Sequence, residues 1–182
     1  MKRTKLKNTI YRWRVRIGSL AAAAAVILAR PSFRSVIIGF IISTIGLLLR
    51  TWACGHIQKE TKLSMSGPYR YTRNPLYFGN LIIGTGVTTG AHSWWVFGIF
   101  CLYFFIFYPV IIGFEKQKME RLFPSQYQTF KKVPLFIPAL RPRISYKKEA
   151  FKWSLYLANK EYRAFVGVMI FWAALIIKTI IT

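Results

Sequence analysis

The chain contains no aspartate, and its acids are five glutamates in 182 residues: Glu60, Glu115, Glu120, Glu149 and Glu161. That absence excludes an Asp-based metal cage and a Ser-His-Asp triad. The two cysteines, Cys54 and Cys101, lie in or beside different apolar runs with no CxxC spacing. Packing is the role this leaves them, and neither a disulfide nor a metal site is expected. His56 and His92 are isolated as well, and no glycine fingerprint marks a dinucleotide fold. Any chemistry must draw on arginine, tyrosine, backbone groups and one or two glutamates.

What the chain has instead is grease and positive charge. It is 54% hydrophobic and carries 27 Lys and Arg, a formal charge of +22. The two properties are segregated along the chain, the pattern of a membrane protein. Apolar runs cover Ile17–Ala29, Ser35–Leu49, Leu76–Ala91, Trp94–Phe114 and Ala164–Thr182. The first is short, but Arg12, Arg14 and Arg16 can snorkel to the headgroups and extend it. Its Ala29-Arg30-Pro31 edge is a poor cleavage site, so a span is expected there rather than a leader. The second can run past Arg50 through Trp52, Ala53 and Cys54.

The expected fold is therefore all-α, a multi-pass membrane bundle of about five spans with a cytoplasmic cap. With five spans, one face of the membrane collects 24 basic residues and the other three. The positive-inside rule then places the N-terminus in the cytoplasm and the C-terminus outside. A prokaryotic inner membrane is the expected setting. The division expected along the chain is a hairpin at 1–54, a core at 55–140 and an extension with one more span at 141–182. The lysines read as topology signals and contacts to anionic headgroups; no nucleic-acid motif is present, and no nucleic-acid partner is expected.

The stretch GPYRYTRNPLYFG, residues 67–79, opens the third run. Pro68 and Pro75 fix φ and push Gly67 and Asn74 away from helix, so a rigid turn should lead into the span. Arg73 and Asn74 are then presented at the span's first turn, where free N–H groups favour an anion. Gly79 lets something approach that helix closely. An interfacial anchor belt accounts for the tyrosines, but not for two prolines and a glycine at these spacings.

Glu115 stands where the fourth run gives way to Lys116 and Lys118. If the helix continues to Leu122, Glu115, Met119 and Leu122 share an inner face, while Glu120 faces water. A carboxylate on that face needs a cationic or donor partner. A structural pair with Arg70 or Arg73 and a contact to a ligand compete evenly. Further on, Pro124 suits the first turn of a short helix with Tyr127 and Phe130 inward. The extended VPLFIP, residues 133–138, follows and closes back over the site.

GPYRYTRNPLYFG together with EKQKMERLFPSQYQTFKKVPLFIP resembles the isoprenylcysteine carboxyl methyltransferase and phospholipid methyltransferase superfamily. Its pattern runs R-H-P-x-Y-x-G, E-E-x-x-L-x-x-x-F-G-x-x-Y and V-P-x-F-I-P, and the likeness covers Leu47 to Pro138. The resemblance implies an integral membrane enzyme that uses S-adenosylmethionine on the cytosolic side and a lipid-like or prenyl-like methyl acceptor from the bilayer. It maps the cofactor pocket onto Gln58, Thr61, Lys62, Leu63, Ser64, Tyr69, Asn74, Pro75, Leu76, Tyr77 and Glu115, with Gly79 beside them. Asn74, backbone N–H groups and Arg73 would hold the carboxylate, and Glu115 would accept from the amino group. Arg73 and Glu115 are the catalytic candidates, and Tyr69 and Tyr77 would face the sulfonium or stack on adenine.

The chain departs from the pattern at Asn74, in place of His, and at Lys116, in place of the second Glu. Ile111 stands where prenylcysteine enzymes carry an Arg, which leaves the acceptor open and casts Ile111 as lining the acceptor's passage. The rival readings are an NADPH-dependent reductase of the sterol-reductase type and an inactive basic membrane adaptor. Glu161 and Arg163, at the start of the last run, read as ion-pair anchors.

Overall fold

The computed structural model describes residues 2–58, 61–145 and 149–182, except for the side chains of 2–12, 14 and 15. Glu60 and the side chains of Arg12 and Arg14 therefore lie outside the described residues. Among these the chain is all-helical: α1 Lys2–Leu28, α2 Phe33–Cys54, a 3-10 turn Gly67–Arg70, α3 Pro75–Ala91, α4 Trp94–Leu122, α5 Pro124–Phe130, α6 Trp153–Ala158 and α7 Tyr162–Ile181. Three of the five apolar runs fall within a helix, and the first and last overrun theirs by one residue, Ala29 and Thr182.

Three helices, α2, α4 and α7, are long and apolar enough to cross a membrane; the apolar part of α1 is shorter, and α3 has 17 residues. Large apolar side chains on the long helices point outward, among them Leu48, Phe105 and Ile170. In water such surface would be costly, whereas hydrocarbon solvates it without penalty. At 1.5 Å per residue α4 runs ~43 Å, longer than a hydrocarbon core of ~30 Å. The excess is the polar end that begins at Glu115.

The chain forms two compact units. One comprises residues 1–43, 84–114 and 168–182, with a core of Ala25, Ala29, Val36, Ala91, Val96, Trp172 and Leu175. There α2 and α3 touch backbone to backbone: a Cβ on Gly39 would stand 2.4 Å from the Gly86 carbonyl oxygen. Lys178 donates to the carbonyls of Val26 and Ile27 at 2.9 and 2.7 Å, capping the end of α1. The second unit, residues 44–83 and 115–167, is built on Ala53, Leu63, Met65, Tyr69, Tyr127, Phe130, Val133 and Ile144. It contains every candidate residue except Ile111.

Candidate functional site

The turn that carries the site is made by local constraints. Gly67 has φ +54°, and the His56 ring fills the space a Cβ would need. Pro68 opens the 3-10 turn, which Tyr71 N–H closes on the Pro68 carbonyl at 3.0 Å. Asn74 then ends the turn, its carbonyl accepting from the amides of Tyr77 and Phe78 at 3.1 Å.

Residues 134–143 form a strap bonded along this turn. Arg73 N–H donates to Pro134 O at 2.9 Å, Thr72 Oγ1 to Phe136 O at 2.7 Å and Asn74 Nδ2 to Leu135 O at 2.7 Å. In the other direction Ala139 and Arg143 donate to the carbonyls of Tyr71 and Arg70 at 2.9 and 3.0 Å. VPLFIP runs along the turn through bends at 133 and 135–137 rather than as the extended segment expected, and Asn74 spends a donor on it. Thr72, 1% exposed, is a residue the sequence reading missed.

Glu115 is half-buried and accepts from Tyr77 Oη at 3.4 Å. The two arginines weighed as its partners turn elsewhere: Arg70 Nε donates to Ile144 O, and Arg73 Nη1 to Tyr127 Oη at 2.9 Å. Met119 packs on the core as expected, but Leu122 is exposed rather than inward, and Glu120 lies 3.6 Å from Lys131. The helix has passed beyond its apolar surroundings by its last turn, so its inner face ends one turn early.

Two buried polar atoms in this unit lack a hydrogen-bond partner among the described residues, Tyr69 Oη and Arg73 Nε. Tyr69 is 5% exposed and packs with Leu63 and Leu76. Burial, and then the neighbouring Cys54 and Tyr77, push its phenol well above the usual range, with Arg50 opposing. Burial likewise raises Tyr127, against the pull of Arg73. Orphan polar atoms of this kind are rare in folded proteins and call for an explanation.

The remaining candidates lie around this centre. Ser64 Oγ accepts from Gln58 N–H at 3.3 Å and donates to His56 O at 3.0 Å. Gln58, Lys62, Leu63 and Ser64 line a narrow cleft with His56 and Glu149, and Lys62 ion-pairs with Glu149. Thr61 is exposed, and Pro75 is buried as the first residue of α3. Gly79 admits α2: a Cβ there would meet Arg50 Cγ at 2.6 Å and Gly46 O at 3.0 Å. The close approach expected of Gly79 is thus taken by a helix. Ile111, four residues before Glu115 on α4, is 4% exposed within the first unit.

A buried charge cluster was not foreseen. Arg50 binds Glu161 through Nε and Nη2 at 2.6 and 2.9 Å, and Nη1 reaches Asn80 Oδ1 at 2.5 Å and Leu76 O at 3.4 Å. Cys54 Sγ lies 3.2 Å from Glu161 Oε2. The partner of Glu161 is therefore Arg50, while Arg163 is exposed. An arginine inside an apolar run was the available signal, since such a charge needs a partner.

His56 is buried, 3.0 Å from Ser66 Oγ through Nδ1. Burial holds its imidazole below the ordinary 6.5, with Glu149 pulling the other way. The unfolded chain then takes up the proton first, so stability falls as pH drops through about 6.5 toward the folded value. Melting curves from roughly pH 7 to 5 should show that fall, and His56→Gln should flatten it. Equal slopes in both proteins would contradict the assignment.

The phospholipid methyltransferase family profile matches residues 34–126, just over half the chain. The cobalt-zinc-cadmium resistance protein CzcN of Cupriavidus metallidurans is 29% identical over 126 residues, 67% of this chain and 54% of CzcN. The nickel-cobalt-cadmium resistance protein NccN of Alcaligenes xylosoxydans xylosoxydans is 31% identical over 105 residues, 57% of this chain and 48% of NccN. The chain thus spans about half the length of these curated relatives. No solved structure matches it. With its apolar helices and its 67–79 turn inside the matched region, the chain is a membrane protein that belongs to the phospholipid methyltransferase family, within the isoprenylcysteine carboxyl methyltransferase-like superfamily.

Proposed function

We propose that the protein transfers a methyl group from S-adenosylmethionine to an amphipathic lipid or prenyl-like acceptor, at a site on the cytoplasmic face of a prokaryotic inner membrane. The observation that carries this reading is the set of unspent polar groups in the second unit. Among the described residues Tyr69 Oη and Arg73 Nε are buried without hydrogen-bond partners, and the carboxylate of Glu115 accepts a long bond from Tyr77. A zwitterionic amino acid with a sulfonium and an adenine needs an anion holder, a carboxylate for its ammonium and aromatic faces. The residues present fit that group.

Arg73 Nε is the anion holder, since Asn74 Nδ2 is already bonded to the strap. Glu115 would accept from the amino group, and Tyr69 and Tyr77 would offer π-faces to the cation, worth ~0.5–2 kcal/mol. The cofactor, when bound, supplies an electrophilic methyl group on sulfur. The strap and the core beneath it exclude water, and positioning does most of the rest. An acceptor that must lose a proton has Glu115 and Tyr77, 3.4 Å apart, as the nearby groups that could take it. The acceptor's route is lateral, past the apolar helices that face lipid.

Purified protein in detergent should melt higher with S-adenosylmethionine and not with NADPH. Incubation with methyl-labelled cofactor and total membrane lipid should put label into the organic phase. Stabilisation by NADPH alone would favour the reductase reading. Stabilisation by neither cofactor would favour the adaptor. Label confined to water-soluble acceptors would overturn lateral entry.

A further inference from the structure

The strap is amphipathic in an unusual direction. Val133 is fully buried, and Phe136 packs edge-on against Phe78 at 5.8 Å. Leu135, Ile137 and Leu140 point out; Ile137 is 72% exposed and Leu140 wholly so. These side chains cannot be tucked in by a small rearrangement. Pro134, Pro138 and Pro142 stiffen the segment, and the bonds to residues 70–74 fix its face. A rigid segment holding leucine and isoleucine out of the protein marks an interaction surface.

The flanks say what covers it. Lys131, Lys132, Arg141 and Arg143 are all exposed, and residues 131–143 contain no acid. Among the described residues, Lys131 alone of the four has an acidic side chain in ion-pair range, Glu120. Apolar tips between cations match a leaflet with anionic headgroups, where side chains can sink ~5–10 Å while the charges stay at the surface. The chain is a membrane protein, so such a leaflet is at hand. We propose that residues 131–143 form an interfacial anchor: Ile137 and Leu140 enter the acyl boundary and the four cations bind anionic lipid. On the reading under Proposed function, the strap's bonds to the 70–74 turn then set the height of Arg73 against the acceptor's headgroup.

The test uses the full chain as Leu140→Cys in a Cys101→Ser background, with buried Cys54 unreacted, carrying a nitroxide label. The protein is reconstituted in phosphatidylcholine vesicles with or without one third phosphatidylglycerol. Power saturation with oxygen and with a water-soluble nickel chelate reads depth. The proposal expects oxygen to relax the label several-fold more than nickel in the anionic vesicles. It also expects the preference to shrink without phosphatidylglycerol, or when the four cations are changed to Gln. A second label at Ile137→Cys should behave alike. Nickel access equal to that of oxygen would overturn the proposal, as would exclusion of both, the sign of a second copy or another protein on the strap. Depth insensitive to lipid and residue charge would overturn it too. S-adenosylmethionine binding is measured separately, so a strap at the right depth in a protein that binds no cofactor would sink only the functional reading.

Discussion

Glu161→Gln is expected to destabilise the protein by about 3–5 kcal/mol, more than the loss of any exposed ion pair. The reason lies in what is left behind. Arg50 and Glu161 have side chains 14% and 9% exposed, and the guanidinium meets the carboxylate through two nitrogens. Removing the negative charge leaves a buried cation among neutral acceptors: the new amide oxygen, Asn80 Oδ1 and the Leu76 carbonyl. The pair also ties residues 152–161 to the end of α2, alongside Asn159 Nδ2 on the Cys54 and Ile57 carbonyls and Lys152 N–H on Gly55 O. By contrast Lys62 and Glu149 are 39% and 24% exposed, so Glu149→Gln should cost at most about 1 kcal/mol. Hydrogen bonding to Lys62 holds the Glu149 carboxyl below its usual range, so even that small contribution fades as pH falls toward the unfolded value and below. The double variant Arg50→Met, Glu161→Met should recover much of the loss, because neither charge is then stranded. Detergent melting curves decide it. Glu161→Gln and Glu149→Gln melting together would show that the pair carries no more than a surface contact.

That pair shows where reading along the chain stops. Whether a segment is long and apolar enough for a helix in lipid is a local property, and a helix forms at each of the five apolar runs. The turn at 67–75 and the start of α5 at Pro124 are local too, because proline restricts its own φ and the residue before it. The partner of Glu161 lies 111 residues away, and no local pattern encodes it. The same limit applies to donors. Asn74 was legible as a polar group at a helix start, but its amide goes to Leu135 in the strap. Gly79 was legible as a place of close approach, and only the packing reveals that α2 is what approaches. Leu122 was placed inward by carrying the 3.6-residue period past the end of the apolar surroundings, where it no longer applies.

Glu115→Gln should weaken S-adenosylmethionine binding by ~1.5–3 kcal/mol, roughly tenfold to hundredfold in Kd, with little change in melting temperature. The two readouts part because Glu115 is weakly tied to the fold. Its bond from Tyr77 is 3.4 Å long, and neither Arg70 nor Arg73, the cations weighed as its partners, is turned toward it. With no closer partner among the described residues, the carboxylate keeps lone pairs for an ammonium, and a charge-assisted bond is about twice as strong as a neutral one. Gln preserves size and one acceptor, so what is lost is the charge. Tyr77→Phe should cost less, since it removes only the hydroxyl that steadies the carboxylate. In a Glu115→Gln background it should cost almost nothing, as expected of two groups acting through one contact. Calorimetry on the four proteins gives the cycle directly. Independent, additive losses would separate Tyr77 from Glu115, and unchanged affinity in Glu115→Gln would remove the carboxylate from the cofactor site.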